Sequence, residues 1–233
     1  MKVLVACEYS GRVREAFRLL GHDAMSCDFL PSEDNSANHY EGDVKDLIGA
    51  QHFDLMIAHP PCTYLSVSGL HWNGRVPGRA EKTEEAIAFV QYLLDAPIDK
   101  IALENPVGCI STRIRKPNQT VQPWQFGENA SKATCLWLKG LPDLTPTKII
   151  DPEYACPCKH RFRFELGKYG CPNCNGENVA RPIYANQTPG GQNKLGPSPD
   201  RWKERSRTYQ GIANAMASQW GSGDSCLQGS LFE

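Results

Sequence analysis

Short apolar runs of strand length alternate with helix-length amphipathic segments through the first hundred residues, and this alternation restricts the fold more than any other feature of the chain. Residues 2–6 read as a buried strand, 11–20 as a helix with Val13, Phe17 and Leu20 inward, and 23–27 as a second strand. Residues 54–58 give another strand, and 82–94 a helix whose core face carries Ala86, Ile87, Phe89, Val90 and Leu93. Residues 100–103 give a further strand. Strands and helices interleaved in this way predict an α/β fold, a mostly parallel sheet covered by helices on both faces. In such a sheet, ligands bind in the crevice beyond the carboxyl ends of the strands.

Composition agrees with a self-supporting core. The chain has 233 residues, 40% hydrophobic and 22% charged, with a formal net charge of -1, which excludes a disordered polyelectrolyte. No stretch approaches the roughly 18 apolar residues of a membrane span. The opening run Val3 to Ala6 is cut off by Cys7-Glu8, too short for a signal peptide, so a cytoplasmic protein is expected, acting as a monomer. Its ten cysteines then read as thiols, metal ligands or nucleophiles rather than disulfides. Charge is unevenly spread: residues 1–60 carry ten Asp/Glu against five Lys/Arg, residues 151–207 six against ten. The basic second half suits a polyanion, or is a solvated surface with no partner.

The texture shifts after about residue 140, where Pro and Gly become frequent. Residues 1–150 are expected to form the core and 151–204 a small insertion with a long loop at 185–200. Residues 205–221 are expected to return as a helix with Ile212, Ala215, Met216 and Gln219 on one face, and 222–233 to be a tail. Within the insertion, Cys156, Cys158, Cys171 and Cys174 read C-P-C-x12-C-P-N-C, two close pairs of soft ligands across a hairpin-sized loop, the pattern of a structural tetrahedral Zn2+ site. The first pair is tight, so His160 is an alternative fourth ligand, and a metal-free thiol cluster is the other reading. Lys159, Arg161 and Arg163 alternate with Phe162 and Phe164, a strip suited to contact with a nucleic-acid backbone or to base stacking.

Two strand ends carry reactive groups. His59-Pro60-Pro61-Cys62 follows the strand 54–58, and the prolines make a stiff turn that can aim a thiol. Glu104-Asn105-Pro106 follows the strand 100–103 and delivers a carboxylate to the same edge. Cys62 could equally be a small core residue and Glu104 a loop acid. Together, a thiol and an acid at one crevice suit attack on a ring carbon with proton transfer to the ring.

These residues resemble the motifs of the cytosine-5 DNA methyltransferases, especially short phage and prophage DNA cytosine methylases. Pro60-Pro61-Cys62 matches the family's Pro-Pro-Cys, and Glu104-Asn105-Pro106 its Glu-Asn-Val with Pro in place of Val. The likeness covers most of residues 1–140 and the helix near 210. It implies a Rossmann-like class I methyltransferase core, S-adenosylmethionine as methyl donor and double-stranded DNA as partner. It also implies that Cys62 adds to C6 of a flipped cytosine while Glu104 acts at N3. Cys62 would then need a depressed pKa or a nearby cation, and Glu104 a raised one.

On the cofactor side, Cys7, Glu8, Tyr9, Ser10 and Gly11 resemble the family's Gly-rich first turn, with Glu8 at a position usually Gly. Asp28 suits a ribose hydroxyl and Asp43 resembles the adenine-contacting acid, although either could be a plain loop or N-cap residue. Pro60 and Asn214 complete the implied cofactor set; Gln210 and Asn214 resemble the closing motif, with Ala213 where a glycine is usual. Arg113 and Arg115 resemble the Gln-x-Arg-x-Arg motif near the target base, without its Gln, and could instead contact phosphate.

Overall fold

A computed structural model of the chain describes residues 1–156, 158, 160–162, 171, 173 and 181–222. Seven strands form one sheet: β1 (Lys2–Ala6), β2 (Asp23–Asp28), β3 (His39–Glu41), β4 (Leu55–Ala58), β5 (Lys100–Pro106), β6 (Gln119–Val121) and β7 (Thr134–Lys139), in the spatial order β3-β2-β1-β4-β5-β7-β6. The first five run parallel, and β7 is antiparallel to both β5 and β6. This is the mostly parallel α/β sheet the alternation predicts, in the Rossmann-like form the resemblance implies. Chain order reverses direction across the sheet at β1, which leaves the crevice at the ends of β1 and its neighbour β4.

β1, β4 and β5 are buried almost end to end, as continuous Val/Leu/Ile/Ala runs in a sheet covered on both faces should be. Helix α1 (Arg12–Leu19) joins β1 to β2 and buries Val13, Ala16 and Phe17. Leu20, expected inward, falls beyond the helix and is 54% exposed. After β4 come the single turn α2 (Val67–Leu70) and the long α3 (Arg79–Leu94), which buries Val90, Leu93 and Leu94 and leaves Ala86, Ile87 and Phe89 half-buried against the core. The short α4 (Ile110–Arg113) follows β5. Trp137 of β7 is fully buried, and its indole N–H donates to the Arg115 carbonyl at 2.8 Å.

The chain divides into two compact units: residues 1–121, 133–145 and 212–233, and residues 122–132 with 146–211. The second begins well before residue 151. Within it, β8 (Glu153–Ala155), β9 (Arg161–Phe162) and β10 (Arg181–Ile183) form a small antiparallel sheet in the order β10-β8-β9, followed by α5 (Arg201–Ser206). Residues 122–132 belong here because the Asn186 side chain brackets Ser131, accepting from its N–H and donating to its carbonyl, both at 2.9 Å. Trp124 also stacks on Tyr184, 5.9 Å between ring centroids.

Helix α6 (Gln210–Gly221) buries Ile212, Ala215, Met216 and Trp220 in the first unit, as the spacing predicts. Gln219, expected on that face, is half-buried and pairs its amide with both backbone groups of Thr145 at 2.8 Å. No helix among the described residues is long and apolar enough to cross a membrane.

Candidate active site at the strand ends

β4 stops at Ala58, but His59 extends its pairing by donating its backbone N–H to Ala6 at 2.9 Å. Pro60 and Pro61 then lack the donors needed to continue, and the chain leaves the sheet into a single 3-10 turn, Cys62–Tyr64. Cys62 opens that turn and is exposed, while Pro60 is buried. β5 runs three residues further than residues 100–103, so Glu104 and Asn105 are strand residues locked by β7: Glu104 lies opposite Leu136 and Asn105 opposite Cys135. Glu104 is 8% exposed and Asn105 1%.

Three ties hold the Cys62 turn to the end of β5. The Asn105 amide donates to the Pro60 carbonyl at 2.7 Å. His59 Nδ1 lies 3.0 Å from Glu104 Oε2. Beyond β5, Cys109 N–H donates to the Leu65 carbonyl at 2.9 Å, and Gly108 passes so close to that carbonyl that no Cβ would fit. The thiol and the acid were expected at one sheet edge; the ties that join their strand ends run through His59 and Asn105, two residues with no expected role. Their positions directly beside Pro60 and Glu104 were the available signal.

The neighbouring strand end is built differently. Cys7 follows β1 with φ 58, a left-handed conformation uncommon outside glycine, and Gly11 with φ 71 precedes α1. Glu8 is buried between them. Its carboxylate accepts from the N–H groups of Val13 at 2.7 Å and Arg14 at 3.2 Å, and from the Ser10 hydroxyl at 3.3 Å, so the chain supplies its own anion to the N-terminus of α1. Tyr9 is buried and its carbonyl receives the Glu33 N–H at 2.9 Å.

Burial pushes the Asp28 carboxyl up, opposed by hydrogen bonds from Leu30 and Phe29 N–H and by His39. Burial also raises the Cys7 thiol, reinforced by the charges of Asp28 and Asp43, and pushes Cys27 up to about 12. Cys7, Asp28 and Asp43 are thus gathered at one acidic edge. Asp43 additionally caps the turn Val44–Asp46, accepting from Lys45 N–H at 3.0 Å.

The remaining candidates lie on other elements. Asn214 lies on the exposed face of α6. Arg113 is held by both oxygens of Glu84 on α3, at 2.9 and 2.6 Å, and Arg115 by Asn118 and the Leu138 carbonyl. Neither guanidinium is at the Cys62 turn in these contacts.

The segment following Cys62 interleaves aromatic and basic groups: the Arg79 guanidinium stands 4.8 Å over the Tyr64 ring and Arg75 5.8 Å over Trp72. Trp72, Val67 and Val76 are exposed there, at 44%, 62% and 44%. Its signal was the run His71-Trp72-Asn73-Gly74-Arg75 itself, basic and aromatic immediately after the thiol.

In the second unit, the sulfurs of Cys156, Cys158 and Cys171 lie within 4.8 Å of one another, with Cys158 and Cys171 3.6 Å apart. Four thiolates at about 2.3 Å around a tetrahedral zinc would stand about 3.8 Å apart, so the donor set and spacing fit. Cys174 lies outside the described residues, and His160 is not part of the three-thiol group. Of the basic strip, Lys159, Arg163 and Phe164 and the side chain of Phe162 also lie outside the described residues. Arg161 pairs with Glu153 across the β8–β9 ladder at 2.8 Å.

No protein-family model matches the chain, and no curated protein matches it. Among solved structures, one it resembles is an E. coli prophage-encoded protein described as a candidate DNA modification methyltransferase, 14% identical, with a TM-score of 0.41 over 64% of this chain and 51% of that one. The chain spans about half the length of that protein.

Proposed function

We propose that the chain is an S-adenosylmethionine-dependent methyltransferase acting on C5 of cytosine in double-stranded DNA. The observation that carries this reading is the tie between the Cys62 turn and Glu104, an exposed thiol and a buried carboxyl presented at adjacent ends of β4 and β5.

The acidic edge at β1 and β2 suits the donor in part. Asp28, partly desolvated at the end of β2, fits a ribose hydroxyl, Asp43 the adenine, and the turn from Cys7 to Gly11 with Pro60 and Asn214 would line the rest. An anionic group would find the first N–H groups of α1 already taken by Glu8. When bound, S-adenosylmethionine supplies a sulfonium methyl group that an electron-rich carbon can attack.

The chain's own groups make that carbon. C5 of cytosine is a poor nucleophile until the Cys62 thiolate forms an S–C6 bond; the displaced ring electrons reach N3, which takes a proton from Glu104, leaving an enamine with nucleophilic C5. Once C5 is substituted, its remaining proton passes to solvent, the electrons of that C–H bond re-form C5=C6 as the S–C6 bond breaks to return the thiolate, and N3 returns its proton to Glu104. The base must leave the helix for this, because a stacked ring cannot be approached on its face. Tyr64, Trp72, Arg75 and Arg79, in the segment that follows Cys62, would offer stacking surface and positive charge for the opened duplex. Cys156, Cys158, Cys171 and Cys174 would hold a structural Zn2+ that orders the small sheet of the second unit. Stoichiometric zinc by mass spectrometry, with cleavage of residues 151–183 by protease accelerating after chelation, supports that assignment; no bound metal rejects it.

Glu8 favours a second reading, a zinc-containing DNA-binding protein that keeps the fold without binding the donor. Calorimetry separates the two: absence of S-adenosylmethionine binding selects it. The decisive experiment is nucleoside mass spectrometry on DNA from cells that lack cytosine methylation and express either the wild-type chain or Cys62→Ala. 5-Methylcytosine with wild type alone is expected. A different modified base keeps Cys62 and changes the donor, and no modified base from a folded, DNA-binding protein rejects the methyltransferase.

A further inference from the structure

We infer that His59 is a positioning residue for Glu104, fixing which carboxyl oxygen carries the transferable proton and holding the carboxylate once that proton has gone. The inference deepens the methyltransferase reading and rests on it.

Both side chains are about nine-tenths buried, His59 8% and Glu104 10% exposed, with Nδ1 and Oε2 3.0 Å apart. The other imidazole nitrogen, Nε2, is buried with no hydrogen-bond partner among the described residues. That asymmetry fixes the ring's state. An imidazolium carries two N–H donors, one of which would be buried unpaired here, and a buried orphan N–H is among the rarest features of folded proteins. The Nε2–H tautomer has the same defect. The remaining form is neutral with its single proton on Nδ1, donated to Glu104, and an unpartnered lone pair on Nε2.

The consequence lies in the acid. With Oε2 receiving the Nδ1–H, a proton held by Glu104 belongs on Oε1. Transfer of that proton to the substrate ring breaks the Oε1–H bond and forms N3–H, leaving a carboxylate whose charge the same Nδ1–H then stabilises as a charge-assisted hydrogen bond. Such bonds relieve the cost of a buried anion that would otherwise oppose the transfer.

Local structure holds the ring in place for this. The His59 backbone N–H is committed to Ala6, Pro60 stiffens the next residue, and the Asn105 amide clamps the Pro60 carbonyl. Ionisable groups at the neighbouring strand ends are Cys62 on its turn, Cys7, Glu8, Asp28 and Asp43 about the ends of β1 and β2, and Cys135 on β7; the 3.0 Å between Nδ1 and Oε2 is a direct contact.

A merely structural clasp between β4 and β5 makes a different prediction from a positioning donor. Two variants separate them. His59→Asn keeps an N–H at about the Nδ1 position, whereas His59→Leu keeps volume and loses the donor. His59→Leu should lower kcat about tenfold to a hundredfold with KM for DNA changed less than about threefold, and His59→Asn should recover most of that loss. Equal losses in both variants, a loss expressed in KM alone, or no loss in either would overturn the assignment.

Nitrogen NMR of the imidazole in the wild-type protein tests the same pair without turnover, and covers the case in which His59→Leu does not fold. A neutral ring protonated at Nδ1, changed by Glu104→Gln, is expected. An imidazolium or the Nε2–H tautomer overturns the inference. Failure of the wild type to make 5-methylcytosine while the NMR result stands rejects the methyltransferase reading and leaves the His59–Glu104 pair intact.

Discussion

Cys7 and Cys62 stand beyond the same edges of two neighbouring parallel strands, β1 and β4, paired at Ala6 and Ala58, yet they have opposite environments. Cys7 directly follows its strand in a left-handed conformation, five residues before α1 begins, and is half-buried; burial and the charges of Asp28 and Asp43 keep its thiol protonated. Cys62 comes four residues after its strand, carried out of the sheet by two prolines, and is exposed. A strand end gives access to the crevice; the turn that follows decides how far a thiol there is presented to solvent.

The carboxylates repeat the contrast. Glu8 beside Cys7 spends its oxygens on the N–H groups of α1, whereas Glu104 beside the Cys62 turn faces a histidine. On the proposed mechanism, Glu104→Gln should reduce methyl transfer by about 10²- to 10⁴-fold with little change in Tm. Single-turnover assays on that variant decide it, and an undiminished rate removes Glu104 as the acid. Next in size is the difference in thiol chemistry. Iodoacetamide followed by peptide mapping should modify Cys62 in the folded protein about a hundredfold faster than Cys7. Comparable rates would erase the distinction between the two strand ends.

Glu8→Ala should act on stability instead, by about 1–3 kcal/mol in denaturant unfolding, because two buried N–H groups lose their acceptor. A smaller effect is expected at high pH. Unfolded, Cys27 titrates at its ordinary 9.0; folded, burial and the charges of Asp28, Asp43 and Asp46 push it up to about 12. Between those values the folded state holds more protons than the unfolded one, so stability falls as pH rises above about 9. Cys27→Ala should flatten that decline in a denaturation series from pH 8 to 11, and an unchanged slope would place its cause elsewhere.

The buried half of this architecture was legible because β1, β4 and β5 are uninterrupted apolar runs, and α3 announces itself by period. β7 was not. Thr134–Lys139 is as buried as β5, but it runs antiparallel and its partners are β5, about thirty residues earlier, and the three-residue β6, so no local β-α-β rhythm flags it. α3 starts at Arg79 rather than 82, preceded by Gly78 at φ 74 with no side-chain cap to mark its beginning in the sequence. In the site, Cys62 and Glu104 could be found from their places after apolar runs, since strand-end position is a local property. The partnership of His59 with Glu104 spans 45 residues and exists only once β4 and β5 have paired. Residues 122–132 joined the second unit for a similar reason: the side chain that captures Ser131 comes from Asn186.

The smallest expected effect concerns the arginines, where motif resemblance and geometry diverge. Likeness to an arginine motif sets Arg113 near the target base, but its guanidinium is exposed and engaged by both oxygens of Glu84, a pair that solvent screens and that adds little to stability. Burying an arginine at a flipped base would require that pair to open, whereas a phosphate could take the guanidinium at the surface by exchange. If the chain binds DNA as proposed, Arg113→Ala should leave Tm unchanged and weaken that binding alike across sequences, with the slope of log K against log salt reduced by about one. Fluorescence titration of labelled duplexes at several salt concentrations measures this. If instead kcat at saturating DNA falls more than about tenfold while the salt slope is unchanged, Arg113 acts at the base, and the basic segment from Tyr64 to Lys82 must bind the phosphates without it.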